Sequence, residues 1–323
     1  MHFKKQVDEL EPILSLLPEP FRSVILRMPD DARISLEEIR LRTNCPLELV
    51  VADRRWYLPG EAMPVFKREH AAEMLQKMSR YSLYTMEEEL KRGYITIRGG
   101  HRIGLAGRVI TEKGHVLRIR DVTFFNIRLA KQKIGTALPL IPFLYKKRRW
   151  VSTLIIGAPQ TGKTTLLRDL ARLISSGLPD RFIEAEKTGI VDERSEIAGC
   201  VDGIPQNDVG KRTDVLDACP KAEGMMMMIR SMSPEVLIVD EIGRKEDMEA
   251  LFEALNAGVS VIATAHGFSL TQLRSRPSLA PLLEAHMFDR YIILSRTDFI
   301  KGSRMSVLDS LGQSIATEEG IWQ

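Results

Sequence analysis

The chain has 323 residues, of which 44% are hydrophobic and 28% are charged, and its formal net charge is only +3. These values are typical of a folded globular protein of one large or two smaller domains, and they argue against a protein that coats nucleic acid. The three cysteines are odd in number and widely spaced, which argues against a disulfide framework and a four-thiolate zinc site. This use of cysteine suits a reducing compartment. No apolar run is long enough for a signal core or a membrane-spanning helix, so we expect at most peripheral membrane contact.

The first 136 residues have the pattern of a small α+β domain. Helical spacing of apolar residues occurs at 7–17 and again at 69–91, where it fits one or two helices. The pair Gly99-Gly100 lies between two alternating runs and predicts a tight hairpin. Strands are expected at 39–41, 47–51, 94–97, 102–105 and 116–119.

Residues 137–150 are expected to form a linker between two domains. Pro139 and Pro142 argue against one continuous helix there. The densest basic run of the chain, Lys146-Lys147-Arg148-Arg149, follows them. We interpret this run as a solvated face, with contact to an acidic membrane or partner surface as the alternative.

A complete phosphate-binding loop of the form G-x-x-x-x-G-K-[ST] begins at Gly157. The backbone amides of such a loop cradle phosphates, its lysine reaches them, and its hydroxyl binds Mg²⁺. A β-rich run at 151–156 precedes the loop and helical spacing at 164–173 follows it, so a helix N-terminus is expected to point at the phosphates. The expected cofactor-binding residues are Gly157, Ala158, Pro159, Gln160, Thr161, Gly162, Lys163, Thr164 and Thr165.

From residue 151 to 323 the pattern alternates between strand and helix. This alternation predicts an α/β domain with a mostly parallel sheet that is covered on both faces. In such a sheet the carboxyl ends of the strands meet at one edge, where ligands bind. We therefore expect the polar residues that end these strands to form the site.

Two carboxylates end the apolar run 236–239. Asp240 is in position to hold Mg²⁺ together with Thr164, and Glu241 is in position to act as general base for an attacking water. Paired acids at a strand end are unfavourable unless a cation or a reaction uses them. We therefore interpret both residues as functional.

Two further strand ends carry polar residues. His266 follows the β-rich run 259–265, where it is placed to sense the γ-phosphate. Upstream, the run 189–191 leads into Asp192 and Glu193, which we expect near the magnesium ion and the water. A solvated turn is the alternative interpretation of that acidic segment.

The order of these segments resembles the type II/type IV secretion ATPase superfamily. A phosphate loop, an acidic box, an acidic strand end and a histidine box follow one another in both. Segments 230–235 and 241–244 resemble the L-R-x-x-P-D and G-E-I-R-D motifs of that superfamily. Within it, the chain is more similar to the stage III sporulation AA family of endospore-forming bacteria. The segments that carry this resemblance are 38–42, 100–108, 191–199 and 205–210.

The resemblance implies a RecA-like ATPase domain that assembles into a hexameric ring, with ATP and Mg²⁺ bound between the two domains of each subunit. It also implies a cytoplasmic protein, peripherally associated with the mother-cell membrane. Its partners there would be membrane proteins of a secretion-like channel toward the forespore. Carried over by position, the phosphate-loop residues match, as do Glu193 in the acidic box, Glu241 as catalytic glutamate and His266 in the histidine box. Asp240 departs from the superfamily, which commonly has glycine there, and this leaves open how the work is divided between Asp192 or Glu193 and Asp240.

An arginine supplied from outside the phosphate loop can speed phosphoryl transfer, and in a ring a neighbouring subunit is a natural source. The hairpin-rich end of the first domain is rich in arginine. We choose Arg102 and Arg108 as candidates because flanking glycines allow close backbone approach.

Other functions remain possible on sequence alone. A nucleic-acid-dependent motor is the main alternative, although 6% aromatic residues offer few platforms for base stacking. A nucleotide kinase is disfavoured by the paired acids and the long first domain. The transported substrate and the subunit number are not encoded in any motif that we recognise.

Overall fold

The computed structural model describes residues 10–58, 62–79, 90, 93–112, 114–296 and 303–322. The chain divides into two compact units, Met1–Lys131 and Gln132–Gln323. The expected helices at 7–17 and 69–91 both lie partly outside the described residues. In the first of them, residues 10–14 are helical. Over the parts of the chain that the structure describes, no helix combines the length and the apolar character needed to cross a membrane.

Both units contain helices of five residues or fewer as well as helices of twelve or more. In chain order the helices are α1 (Glu19–Arg27), α2 (Asp30–Ile34), α3 (Arg68–Ser79), α4 (Ile141–Leu144), α5 (Lys163–Ser176), α6 (Lys221–Met232), α7 (Lys245–Asn256), α8 (Leu270–Arg274) and α9 (Ala280–Glu284).

The strands of unit 1 are antiparallel and those of unit 2 are mostly parallel. In unit 1 they are β1 (Leu36–Arg42), β2 (Cys45–Pro46), β3 (Glu48–Val51), β4 (Arg54–Trp56), β5 (Val65–Phe66), β6 (Tyr94–Ile97), β7 (His101–Glu112) and β8 (His115–Arg128). In unit 2 they are β9 (Tyr145–Lys146), β10 (Arg149–Trp150), β11 (Thr153–Gly157), β12 (Thr188–Asp192), β13 (Thr213–Asp217), β14 (Val236–Val239), β15 (Ser260–His266), β16 (Arg290–Arg296), β17 (Ser303–Asp309) and β18 (Ser314–Trp322).

Unit 1 is built on a six-stranded sheet in the order β4-β3-β1-β8-β7-β6. Its core includes Ile39 and Leu41, which are fully buried on one face of β1, while Arg40 between them is partly exposed. This alternation is the period of two that a half-buried strand requires. The rings of Phe21 and Phe66 meet edge to face, with centroids 5.4 Å apart, and close the core under α1 and α3.

The expected hairpin at Gly99-Gly100 is confirmed. β6 and β7 pair across these two residues, whose φ angles of +82° and +72° favour glycine. β7 and β8 extend further than the sequence predicted, and a bulge interrupts their register between Ala106 and Arg108. At Gly107 within this bulge a Cβ would lie 2.6 Å from the carbonyl oxygen of Asp121, so the close strand approach requires glycine there.

Unit 2 is built on an eight-stranded sheet in the order β13-β12-β14-β15-β11-β16-β17-β18. The first six strands in this order, which are β11 to β16 of the chain, are parallel, as expected. β17 and β18 add an antiparallel edge. α5 packs in the core on one face, and α6 and α7 pack on the other. β11 and β14 are buried along their whole length, which explains their uninterrupted apolar sequence.

The segment 137–150 differs from the expected linker, because it is folded into unit 2. Leu140, Leu144 and Trp150 are fully buried in the core beside α5. The carboxylate of Asp169 on α5 accepts a hydrogen bond of 2.8 Å from the backbone N–H of Ala137. The prolines limit the helix here to α4. The segment is nevertheless packed against unit 2, because apolar residues on either side of the prolines reach the core.

Glu186, which precedes β12, makes the stability of the fold depend on pH. Partial burial and the neighbouring carboxylate of Glu235 raise its pKa from 4.5 to about 7, against the opposing charge of Arg212. Because the folded state holds this proton more tightly than the unfolded state, the contribution to stability is complete below about pH 4.5. It is lost as the pH rises through about 7.

We expect Glu186→Gln to raise the free energy of unfolding by roughly 1 kcal/mol at pH 8.5, after allowance for solvent screening. At pH 4.5 it should change little. Urea unfolding at both pH values measures the difference, with Glu184→Gln at an exposed position nearby as the control. An equal effect of Glu186→Gln at both pH values would show that the gain is not electrostatic.

Candidate nucleotide-binding site

Three parallel strands deliver polar residues to the same edge of the unit 2 sheet. Gly157 at the end of β11 lies opposite His266 at the end of β15. β14 pairs with β15 on its other side, with Val239 opposite Ala263, and the chain continues directly into Asp240. The edge at which ligands bind in open α/β sheets thus carries the phosphate loop, the acidic strand end and the histidine.

The loop between β11 and α5 is tightly wound, as a phosphate cradle requires. Gly162 has a φ of +89° and leads directly into α5, whose N-terminus therefore faces the loop. Thr161 donates a hydrogen bond of 2.8 Å to the carbonyl oxygen of Ala158. A Cβ at Gly157 would lie 2.4 Å from this hydroxyl, so the turn closes only around glycine.

Lys163 is held over the loop that it would serve. Its Nζ donates hydrogen bonds to the carbonyl oxygens of Gly157 at 2.9 Å and Ala158 at 2.8 Å. Burial lowers the pKa of Lys163, while the charges of Asp240 and Glu241 oppose that change. The ammonium is therefore a partly desolvated cation between the phosphate loop and two carboxylates.

Asp240 is fixed by two hydroxyl groups. Thr164, in the first turn of α5, donates to Oδ2 of Asp240 at 3.0 Å, and Thr264 on β15 donates to Oδ1. A carboxylate and a threonine hydroxyl at this distance form the kind of oxygen set that Mg²⁺ takes in phosphate-loop sites. The residues present therefore fit the expected metal, through Thr164 and Asp240.

Thr264 also holds the next residue. Its Oγ1 accepts a hydrogen bond of 2.8 Å from the backbone N–H of Glu241. Glu241 has a φ of +49°, a left-handed conformation that a non-glycine residue adopts only when its surroundings impose it. Sequence reasoning missed Thr264, although a hydroxyl residue two positions before His266 in an otherwise apolar run was a usable signal.

The carboxylate of Glu241 is engaged on both oxygens. Nε2 of His266 lies 2.8 Å from Oε1, and NH1 of Arg194 lies 2.9 Å from Oε2. The structure thus brings together Glu241 and His266, as the sequence predicted. Arg194 was not anticipated as part of the site, because an exposed arginine in an acidic turn gives no distinctive signal.

Glu193 lies on the turn after β12 and forms its own ion pairs. Its carboxylate binds Nζ of Lys221 and lies 3.9 Å from NH1 of Arg244. Partial burial raises the pKa of Glu193, but the hydrogen bond and charge of Lys221 outweigh it, so the pKa lies below its ordinary value. Glu193 is therefore a stably ionised residue.

The structure gives Asp192 a role different from the expected magnesium ligand. Its side chain is buried, with Oδ1 accepting from the backbone N–H of Glu196 at 2.8 Å. Oδ2 accepts from the N–H groups of Ile197 and Ala198, both at 2.9 Å. Burial raises the pKa of Asp192 to about 6, and these hydrogen bonds oppose the shift. Asp192 therefore shapes the turn, since its carboxylate is already committed to backbone donors.

Arg102 and Arg108 both lie on β7, in the sheet of unit 1. The guanidinium of Arg102 stacks 3.4 Å from the ring centroid of Tyr94, which gives it a partner within its own sheet. Arg108 is exposed and lies opposite Arg120 on β8. Neither residue belongs to the strand-end site of unit 2, so a contribution to a nucleotide would come from outside that unit.

Comparison with known proteins identifies the family. The family described as "Sporulation stage III, protein AA" matches residues 7–314. The chain is 55% identical over 309 residues to stage III sporulation protein AA of Bacillus subtilis, which covers 96% of this chain and 98% of that protein. The chain belongs to the sporulation stage III protein AA family. The family resemblance expected from the sequence is thereby confirmed.

More distant relatives of this family member share only part of its length. It is 31% identical over 169 residues to the uncharacterized protein ycf45 of Cyanidium caldarium, covering 51% of this chain and 47% of that protein. It is 34% identical over 134 residues to SEEDLING PLASTID DEVELOPMENT 1 of Arabidopsis thaliana, covering 41% of this chain and 19% of that protein.

Solved structures confirm the fold of this family member. The ATPase DotB of Legionella pneumophila matches with a TM-score of 0.57 at 15% identity, over 90% of this chain and 81% of that one. The pilus retraction motor PilT with bound ADP matches with a TM-score of 0.58 at 14% identity, over 86% and 80%. The expected RecA-like α/β architecture, with a smaller sheet domain before it, is therefore correct.

We expect Thr264→Val to lower the free energy of unfolding by about 1–3 kcal/mol, because it leaves the partly buried N–H of Glu241 without its acceptor and removes one of the two hydroxyl donors of Asp240. Urea unfolding measures this loss. Thr153→Val is the matched control, since Thr153 is equally buried on the neighbouring β11 but bonds only the carbonyl oxygen of Val151, at 2.9 Å. Equal losses in the two variants would show that Thr264 is not a special support of the strand end.

Proposed function

We propose that this protein is a Mg²⁺-dependent ATPase of the secretion-motor type that acts during sporulation. The observation that carries the proposal lies beside an intact phosphate loop: the hydroxyl of Thr264 holds Asp240 and the backbone of Glu241, and Asp240 also bonds Thr164. This arrangement joins the residue types that bind a metal-nucleotide complex to a carboxylate that can activate water.

Nucleotide binding is assigned to the loop and the start of α5. The backbone of the loop and the N-terminus of α5 receive the phosphates, and Lys163 neutralises their charge once it leaves the carbonyl oxygens of its own loop. Thr164 and Asp240 hold the metal. The residues assigned to the nucleotide are Gly157, Ala158, Pro159, Gln160, Thr161, Gly162, Lys163, Thr164 and Thr165.

Water activation is assigned to Glu241. Mg²⁺ bound with ATP supplies charge neutralisation at the phosphate oxygens. One carboxylate oxygen of Glu241 accepts the proton of the attacking water, while Nε2 of His266 orients the other oxygen. Glu193 supports this site from the neighbouring turn, where its ion pair with Lys221 fixes the acidic segment.

The motor assignment goes further than the single subunit. We propose a homo-hexameric ring in which hydrolysis moves one unit against the other and Arg102 or Arg108 of a neighbouring subunit faces the nucleotide. The ring would act at the cytoplasmic face of the mother-cell membrane, in contact with membrane proteins of a secretion-like channel toward the forespore. The sporulation family and a fold shared with an ATPase and a pilus retraction motor support this proposal.

We expect Glu241→Gln to bind Mg-ATP at least as tightly as the wild type and to lose turnover by about 100-fold or more, because the amide cannot accept the proton of the water. Glu193→Gln should lose less than about tenfold, since it removes one ion pair beside the site. Steady-state phosphate release and equilibrium binding of ATP, measured for both variants, separate the two carboxylates.

The control is Lys163→Ala, which should lose nucleotide binding itself. Tight ATP binding by this variant would contradict the assignment of the phosphate loop. Near-normal turnover of Glu241→Gln with a large loss in Glu193→Gln would instead move the general base to Glu193.

A further inference from the structure

Arg194 contacts the residue to which we assign water activation. Its guanidinium lies 2.9 Å from Oε2 of Glu241, while His266 occupies Oε1 at 2.8 Å. A guanidinium bonded to a carboxylate oxygen occupies the position at which that oxygen would accept a hydrogen bond from water. In this arrangement both carboxylate oxygens of Glu241 have partners, and Arg194 occupies the one that His266 leaves open.

The contact belongs to a chain of side chains that begins at the phosphate loop. Nζ of Lys163 lies 3.4 Å from Nδ1 of His266, the other ring nitrogen of His266 contacts Glu241, and Glu241 contacts Arg194. Lys163 at the same time binds carbonyl oxygens of its own loop. Three contacts, by way of His266 and Glu241, thus connect Lys163 to Arg194, so a movement of Lys163 toward phosphates would act on Arg194 through them.

The backbone that carries Arg194 is fixed, whereas its side chain is exposed. The carboxylate of Asp192 accepts three backbone N–H groups of the turn, and Ser195 donates a hydrogen bond of 2.6 Å to Asp217. The side chain of Arg194 is 59% exposed, so its ion pair contributes little to stability and opens at little cost. Opening requires rotation of one side chain and leaves the turn in place.

We propose that Arg194 is a positioning residue that latches Glu241 in a resting arrangement, and that a nucleotide with a γ-phosphate binds the open form. This inference rests on the function proposed above for Glu241. With the latch open, Glu241 keeps its contact with His266, and its Oε2 is free to accept a hydrogen bond from the attacking water. For a ligand that binds only the open form, the apparent affinity equals the intrinsic affinity multiplied by the fraction of molecules that are open.

Arg194→Ala tests the latch through binding as well as turnover. Isothermal titration calorimetry with Mg²⁺ and the non-hydrolysable analogue AMP-PNP should show binding about three- to tenfold tighter than in the wild type, because no latched fraction remains. Affinity for ADP should be unchanged, and the basal ATPase rate should rise. Arg194→Lys, which keeps the charge, should return both quantities toward the wild type.

Arg181→Ala is the matched control, because Arg181 is an exposed arginine of the same unit and contacts a backbone carbonyl at 3.5 Å. It should leave binding and turnover unchanged. In a Glu241→Gln background, Arg194→Ala should no longer tighten AMP-PNP binding, since the amide carries no charge to latch.

The outcomes separate the latch from the function on which it rests. If wild-type protein binds neither nucleotide, the proposed function and the latch both fail. If the wild type binds and Arg194→Ala matches it in affinity and rate, the latch alone fails. Weaker AMP-PNP binding in Arg194→Ala would also overturn it, because Arg194 would then contact the nucleotide directly.

Discussion

The hydroxyl of Thr264 is the interaction on which the candidate site depends. It donates to Asp240 and accepts from the backbone N–H of Glu241, so two neighbouring acids with different assigned tasks are held by one atom. The carboxylate of Asp240 is turned toward Thr164, and the backbone of Glu241 is held in a left-handed conformation. Because β15 pairs in parallel with both β14 and β11, the same strand ends at His266 beside the phosphate loop. The geometry of the site is therefore a consequence of sheet register.

A second constraint is that two side chains, His266 and Arg194, both bind the carboxylate of Glu241. Its carboxylate lies between His266, which belongs to the sheet, and Arg194, which belongs to a turn shaped by Asp192. A carboxylate oxygen that is bonded to a guanidinium is available to a water molecule only when that contact opens. If occupancy of the phosphate loop draws Lys163 away from its present partners, the state of the loop and the state of the base are linked through His266. A motor needs such a link, because it must couple hydrolysis to the arrangement of its parts.

The sequence predicted those parts of the site whose residue spacing is fixed by local geometry. The phosphate loop, the pair Asp240-Glu241 and His266 each follow an apolar strand directly, so their common edge follows from the α/β pattern. Thr264 and Arg194 were missed, because their roles depend on pairing between distant strands and on a turn. Asp192 was misjudged since three backbone N–H groups capture its carboxylate, which spacing does not reveal. The folded segment at 137–150 was likewise hidden by its prolines, although its apolar residues reach the core of unit 2.

The central claim is that ATP hydrolysis belongs to an assembled motor, and the most direct test is the ATPase rate per subunit as a function of protein concentration. The account predicts a specific rate that rises and then saturates as subunits assemble, because a neighbour completes the active site. Sedimentation at the same concentrations should place the rise at the monomer-to-oligomer transition. A specific rate that stays constant from monomer to assembly would contradict the account, since each chain would then hydrolyse ATP alone.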